Sequence, residues 1–276
     1  MRARGVAGPR RALGREEMPF LARPDGCRLY YELHGPAGNA TLVLLEGMGG
    51  DIPGWRRNIP RLAARHRVVA YDFRGNGRSD KPDMPMTMAT FVEDTVALLD
   101  ELETAEGHIY GQSFGGMVAI ELGLTRPERV RSLILACTHA GPARASRLGP
   151  KGKVPKDRPW LALYAPGFAE AHPEHVAEDI LVGSQNAQPD HAGRRQWEAM
   201  QRWDAWDRLS AIRRPTLVIH GTEDRLVAVE NARRLAGAIP GSRLALLEGA
   251  GHIYHSEQAE TADQIVLEFL RSVETG

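Results

Sequence analysis

The sequence predicts an α/β fold, a doubly wound and mostly parallel sheet with a helical cap insertion, and three observations lead to this prediction. Seven short runs rich in leucine and β-branched residues indicate strands, at 28–33, 41–46, 67–72, 108–112, 131–136, 215–221 and 243–248. Most of these runs are continuously apolar, which is typical of strands buried on both faces of a sheet. Helical patterns separate several of them, for example at 91–102 and 261–273, and this alternation favours a parallel sheet.

The alternation stops at 139–209, where no run has the pattern of a strand and seven prolines interrupt short helical pieces. Connections of this length within one domain are uncommon unless they act as lids. We therefore expect a disordered tail at 1–17, a core formed by 18–138 and 210–276, and a helical cap at 139–209.

The end of this predicted cap is rich in tryptophan. Trp197, Met200, Trp203 and Trp206 recur at every third position, which predicts a helix with one apolar face. We expect this face to pack the cap onto the core. The alternative is a wall of the substrate pocket, with Trp203 as a substrate contact.

The composition and charge limit the class of binding partner. The chain has 276 residues, and 35 basic and 35 acidic side chains give it a formal charge of zero. This balance gives no reason to expect nucleic acid or a membrane surface as a partner, so we expect a small molecule. Cys27 and Cys137 lie far apart and form no metal-binding or disulfide pattern, which favours reduced thiols in the cytoplasm. No apolar run reaches the roughly 18 residues that a membrane span requires.

The first 17 residues carry five arginines and no apolar run, so they do not resemble a secretory signal. The strand pattern begins only after Met18. We therefore interpret the segment as a disordered tail, and we hypothesise that translation begins at Met18.

The segment 107–116, GHIYGQSFGG, places Ser113 between glycines, after a strand and before a helical pattern. A GxSxG string alone is a weak signal, but this context predicts a tight turn that lifts the serine hydroxyl out of the sheet. Glycine is expected at 111, 115 and 116 because a Cβ there would collide with neighbouring elements. A serine hydroxyl needs a base and a group that orients the base.

The best-placed base is His252, in the glycine-rich loop after the last predicted strand. Asp224 follows the preceding strand, and the neighbouring Glu223 is the rival carboxylate. Serine, acid and histidine thus occur in that order, each after the carboxyl end of a strand, where open α/β sheets place their sites. We predict a catalytic triad of Ser113, Asp224 and His252.

These motifs, together with YDFRGNGRSDKP at 71–82, resemble those of the α/β hydrolase superfamily, in particular esterases and lactonases with a helical cap. The resemblance extends from about residue 18 to the C-terminus. It implies an oxyanion hole formed by the backbone amides of Met48 and Phe114. The family usually has a histidine where this sequence has Glu46. We expect Glu46 to be turned away from the oxyanion, hydrogen-bonded or protonated, and to anchor neighbouring loops.

The expected function is a serine hydrolase that cleaves a carboxylic ester or lactone, with Gly47, Gln112 and Trp203 as substrate contacts. Relatives that cleave carbon–carbon bonds, or that act as perhydrolases without a cofactor, share these catalytic residues and remain alternatives. An alternative of another class is a receptor for small molecules built on a hydrolase scaffold. No motif indicates a metal or an organic cofactor, and the sequence leaves the oligomeric state open.

Overall fold

The computed structural model describes residues 19–146 and 156–276. The predicted tail at 1–17 and the proposed start at Met18 lie outside these residues. An eight-stranded sheet with the strand order β1-β2-β4-β3-β5-β6-β7-β8 forms the centre of the molecule. Its strands are β1 (Phe20–Ala22), β2 (Arg28–His34), β3 (Thr41–Leu45), β4 (Arg67–Tyr71), β5 (Gly107–Gln112), β6 (Val130–Ala136), β7 (Thr216–Gly221) and β8 (Arg243–Leu247).

Helices alternate with these strands along the chain. The α-helices of the described residues are α1 (Ile59–Ala63), α2 (Met88–Glu101), α3 (Phe114–Thr125), α4 (Phe168–Ala171), α5 (Pro173–Ser184), α6 (Asp190–Gln201), α7 (Glu230–Ala238), α8 (Tyr254–Glu257) and α9 (Ala259–Thr275). Short 3₁₀ segments occur at Ile52–Trp55, Pro127–Arg129, Pro142–Arg144, Pro159–Leu163 and Trp206–Ala211. Within the described part of the chain, no helix is both long and apolar enough to cross a bilayer.

The predicted fold class is confirmed. All seven predicted strands are present, and strands β3 to β8 pair in parallel. Two antiparallel pairings, β1 with β2 and β2 with β4, complete the sheet. Strand β1 was not predicted as a separate strand, because it has only three residues at the edge of the sheet.

Each central strand is buried on both faces, which explains its continuous apolar run. In β3, Val43 and Leu45 join an apolar cluster with helices α2, α3 and α7 on one face. Leu42 and Leu44 join a second cluster with helix α9 on the other face. Because successive side chains of a strand point to opposite faces, both sets must be apolar.

Between β6 and β7 the described residues form helices and no strand. The prediction of a single apolar helix face in this region is wrong. Helix α6 ends at Gln201, Trp206 lies in a separate 3₁₀ segment, and Trp197 is 54% exposed. Since an α-helix turns about 100° per residue, a strict spacing of three drifts by about 60° per step and cannot keep four residues in one stripe.

Candidate active site

Ser113 lies at the sharp turn between β5 and α3. Its backbone has φ 51° and ψ −111°. This conformation is unfavourable for any residue that has a side chain, and such strained conformations concentrate at functional sites. The Ser113 amide donates to the Ala136 carbonyl at 2.8 Å, and Thr138 Oγ1 donates to the Ser113 carbonyl at 2.7 Å. Hydrogen bonds to both the amide and the carbonyl of Ser113 thus hold the strained turn.

Glycines make this turn sterically possible. A Cβ at Gly115 would lie 2.1 Å from the Leu45 carbonyl oxygen, and one at Gly111 would lie 2.3 Å from the Gly115 carbonyl oxygen. A Cβ at Gly116 would lie 2.7 Å from the Cβ of Thr138. These distances are far below van der Waals contact, so the glycines allow α3 to begin directly against the ends of β3 and β6.

His252 and Asp224 meet beyond the carboxyl ends of β7 and β8. The His252 Nδ1 and Asp224 Oδ2 atoms are 2.7 Å apart, and both side chains are buried. The other Asp224 oxygen, Oδ1, accepts hydrogen bonds from the backbone amides of Leu226 and Val227 at 2.7 and 2.9 Å. Asp224, and not its neighbour Glu223, is therefore the carboxylate that contacts the imidazole.

A second histidine also contacts this carboxylate. His220 Nε2 lies 3.1 Å from Asp224 Oδ2 and 3.0 Å from the Val227 carbonyl oxygen, and both side chains are completely buried. Burial opposes ionisation of Asp224, but the charge of His252 and hydrogen bonds from both histidines hold the pKa of Asp224 well below its usual value. His220 was not identified from the sequence. The only available signal was a histidine inside the apolar run of β7.

Replacing His220 by leucine is expected to lower kcat/KM of the hydrolase about tenfold or more, because a hydrogen bond to a charged group is typically worth about 1.5–3 kcal/mol. Steady-state kinetics of an ester substrate measures this loss. His220→Gln, which retains a donor, should recover part of it. Equal rates in the leucine variant and the unchanged protein would leave His220 without a positioning role.

Contacts through neighbouring residues bring His252 toward Ser113. The Gln112 side chain, which directly precedes Ser113, donates through Nε2 to the His252 carbonyl at 2.7 Å. Within the described residues, the Ser113 hydroxyl forms no hydrogen bond, to His252 or to any other group. Catalytic hydrogen bonds are often long without substrate and tighten in the complex. The assignment of Ser113, Asp224 and His252 as a triad stays a prediction.

The loop that carries His252 is also tied to the segment after β6. Both oxygens of Glu257 are used in this connection: one accepts from the Gly251 amide and the other from the Ala165 amide, each at 2.6 Å. Gly251 itself packs so closely that a Cβ there would lie 2.4 Å from the Ala165 nitrogen. Glu257 thus links the residue before His252 to the helical insertion.

The backbone N–H groups of Met48 and Phe114 are unpaired among the described residues, as the donors of an oxyanion hole must be before substrate binds. Phe114 is the first residue of α3, so its amide has no partner within the helix. In residues 19–146 and 156–276, neither amide donates to another group. Gly47, which precedes Met48, lies against the serine, since a Cβ on Gly47 would be 3.4 Å from the Ser113 Cβ.

Glu46 is 9% exposed and accepts a hydrogen bond from the Gly47 amide at 2.9 Å. Its second oxygen, Oε2, has no hydrogen-bond partner among the described residues, and the nearest histidine nitrogen of these residues, Nε2 of His255, is 4.0 Å away. Burial raises the pKa of Glu46 to about 7, although the Gly47 amide opposes this shift. Glu46 is thus hydrogen-bonded and only partly ionised near neutral pH.

Glu46→Gln is expected to change how stability depends on pH. A carboxyl group whose pKa rises from 4.5 to about 7 on folding stabilises the folded state fully below pH 4.5, and this contribution is lost as the pH rises through 7. Glu46→Gln should therefore match the unchanged protein near pH 4 and exceed it by up to ~3 kcal/mol at pH 8. Urea unfolding at both pH values measures the difference, with Glu260→Gln on the exposed start of α9 as the control. An equal difference at both pH values would contradict the pKa shift.

The predicted substrate contacts occupy different environments. Gly47 lies beside Ser113, and Gln112 is buried with its amide bonded to the His252 loop. Trp203 is 8% exposed, packs in the apolar cluster of α2 and α3, and donates through Nε1 to Glu121 in α3 at 2.8 Å. These contacts support the packing role of Trp203 that the sequence favoured. Its role as a substrate contact stays a prediction.

One group of described residues has donor atoms close enough to share a metal ion. Ligand atoms of Cys137, His220 and Asp224 lie within 4.8 Å of one another, and all three residues are buried. Burial raises the pKa of the Cys137 thiol well above its usual value, which disfavours the thiolate that metals bind. Asp224 already lies against two histidines, so the group fits a hydrogen-bonded cluster better than a metal site.

A strained serine at the end of a parallel strand, close to a buried carboxylate–imidazole pair in the order serine, acid, histidine, is typical of hydrolases. Comparisons with known proteins agree with this class. A model of the alpha/beta hydrolase family matches residues 42–264. The chain therefore belongs to the α/β hydrolase family.

Individual relatives cover almost the whole chain. It is 32% identical to the "Putative carbamate hydrolase RutD" of Variovorax paradoxus (strain S110), and the match covers 89% of this chain and 97% of that protein. It is similar to the crystal structure of a hydrolase from Pseudomonas aeruginosa PA01, with 32% identity, a TM-score of 0.81 and coverage of 93% of this chain and 99% of that one. For the enol-lactonase from Burkholderia xenovorans LB400, the identity is 29%, the TM-score 0.80 and the coverage 92% and 100%.

Proposed function

We propose that this hydrolase cleaves a carboxylic ester or lactone of small to medium size through an acyl-enzyme intermediate on Ser113. The observation that carries the proposal is the strained conformation of Ser113 at the start of α3, because a serine in this setting is presented for nucleophilic attack. The buried pair of His252 and Asp224 supplies the base and the group that orients it. The similar enol-lactonase supports a lactone or ester as the substrate.

In the proposed mechanism, Nε2 of His252 takes the Ser113 proton as the hydroxyl attacks the acyl carbon. Asp224 accepts a hydrogen bond from Nδ1–H, which keeps Nε2 available as the base and stabilises the imidazolium that forms. The amides of Met48 and Phe114 donate to the oxyanion of the tetrahedral intermediate. The imidazolium then protonates the leaving alcohol, and a water molecule, activated by the same histidine, releases the acid.

A carbamate ester is a second candidate substrate. Its acyl carbon carries a nitrogen substituent, but the same serine, histidine and amides would act on it in the same way. The observation that favours it is the name of the similar protein from Variovorax paradoxus. A carbamoyl-enzyme loses its acyl group more slowly than an ordinary ester intermediate, so an initial burst of alcohol would mark this substrate class.

The deciding experiment combines turnover with trapping of the serine. We expect the protein to hydrolyse short p-nitrophenyl esters or lactones and to gain the mass of one phosphonate, on Ser113, when treated with a fluorophosphonate probe. Carbamate esters of the same alcohols are assayed in parallel. Ligand binding without any turnover or labelling would instead support the receptor alternative.

We also propose that the enzyme acts in the cytoplasm. The two cysteines, Cys27 and Cys137, are free and buried in the structure, and this pattern is compatible with a reducing compartment. Fractionation of cells that produce the full chain tests this assignment.

A further inference from the structure

A cavity of about 320 Å³ lies beside the proposed site, between the helical insertion and the loops that carry Met48 and His252. Gly49 and Ile253, which follow those two residues in the chain, belong to its wall. Leu163 and Val182 from the insertion make much of the remaining surface apolar. The cavity therefore has the size and position to hold one arm of a substrate whose reacting bond lies at Ser113.

Two carboxyl groups in this apolar wall lack a basic partner. Glu46 and Asp51 are 9% and 6% exposed, and no lysine or arginine of the described residues forms an ion pair with either. Asp51 accepts from the Asn186 side chain at 3.1 Å, whereas Glu46 Oε2 accepts no hydrogen bond from a described residue. A buried acceptor without a donor costs about 1–3 kcal/mol, so Glu46 is the acid of the wall that a nearby donor would stabilise most.

The other polar groups of the wall do not supply this donor. The arginine of the wall, Arg56, is bonded to Asp179, which also accepts from the hydroxyls of Tyr164 and Ser256. His255 Nε2 is too far from Glu46 Oε2 for a hydrogen bond, and burial lowers the pKa of His255 to about 3, which keeps it uncharged. His255 also has a nitrogen without a partner among the described residues, Nδ1, but as a neutral ring it offers no positive charge. Among the described residues, the wall therefore carries the carboxyl groups of Glu46, Asp51 and Asp179 against one arginine.

We propose that the cavity binds an amine-bearing arm of the substrate, with the protonated nitrogen against the carboxyl group of Glu46 in the wall. This inference rests on the proposed function for the position of the reacting bond. An ammonium group supplies a donor and a positive charge together. An arm that ends in a methyl group supplies neither, and an arm that ends in a carboxylate adds negative charge near Glu46 and Asp51.

The test compares three p-nitrophenyl esters of nearly equal length: 6-aminohexanoate, heptanoate and the monoester of pimelate. We expect kcat/KM to be highest for the amine and lowest for the carboxylate. Glu46→Gln should reduce the ratio of kcat/KM for the amine ester to kcat/KM for the heptanoate about tenfold or more, because a hydrogen bond to a charged group typically contributes at least that factor. Glu260→Gln is the matched control and should leave the ratio unchanged. An equal ratio in Glu46→Gln and the unchanged protein would overturn the proposal.

A binding measurement separates this inference from the proposed function. Calorimetry with the Ser113→Ala protein compares 6-aminohexanamide with heptanamide, which require no cleavage. We expect tighter binding of the amine, and loss of that preference when Glu46→Gln is added. If no ester is cleaved but this preference is found, the proposed function fails and the amine site stands. If esters are cleaved but neither rate nor binding favours the amine, the amine site fails alone.

Discussion

Replacing Ser113 by alanine is expected to lower kcat for ester hydrolysis by about four to six orders of magnitude, because the acyl-enzyme can no longer form. The substitution removes one oxygen that makes no hydrogen bond to a described residue. Alanine also tolerates the backbone conformation of this turn about as well as serine does. We therefore expect the free energy of unfolding to change by less than about 1 kcal/mol. Steady-state kinetics and urea unfolding on the same preparation measure both quantities.

Thr125→Ala is the matched control for this variant, since Thr125 also offers a hydroxyl on α3 but lies at its far, exposed end. It should retain full activity. Residual hydrolysis by the Ser113→Ala protein above about one hundredth of the original rate would contradict the assignment of the nucleophile.

Gly115→Ala is expected to cause the largest loss of stability, about 3 kcal/mol or more. The new Cβ would lie 2.1 Å from the Leu45 carbonyl oxygen and 2.7 Å from that of Glu46. Both are backbone atoms, so the end of β3 must move away from α3. Because Met48 follows this strand end, its amide should move as well, and kcat should fall even in the folded fraction. Urea unfolding and single-turnover kinetics measure these effects.

Gly237→Ala provides the control for Gly115→Ala. Gly237 also lies in a helix, but a Cβ added there would meet no heavy atom of the described residues within 4 Å, apart from its own helix turn and chain neighbours. Alanine there should leave stability unchanged or raise it by up to about 1 kcal/mol. Equal unfolding midpoints for Gly115→Ala and Gly237→Ala would mean that the contact between α3 and β3 is not tight.

The strands were predictable because their burial on both faces makes their sequences continuously apolar. Val43 and Leu44 point into different clusters, yet both had to be apolar for the same reason. The short edge strand β1 carries no such signal, since its existence depends on pairing with β2. The end of helix α6 at Gln201 was also not predicted. The regular spacing of the tryptophans resembles that of a helix, although the tryptophans differ in burial.

The candidate site was predictable to the extent that it follows strand ends. Ser113, Asp224 and His252 each come after a strand, and the structure joins the last two directly. His220 could not be singled out, because a histidine within a buried strand usually serves packing. The cavity could not be predicted either, since it arises where the insertion lies over the segment 46–56, and local sequence patterns carry no information on that distant contact.

The carboxylate of Glu257, which accepts from the amides of Ala165 and Gly251 at once, ties the insertion to the loop of the proposed base. Any displacement of the segment near Ala165 that admits a substrate must either stretch this bridge or carry the imidazole loop with it. We therefore expect admission of the substrate and alignment of the proposed proton acceptor to be coupled, so that changes far from Ser113 alter the rate of the chemical step.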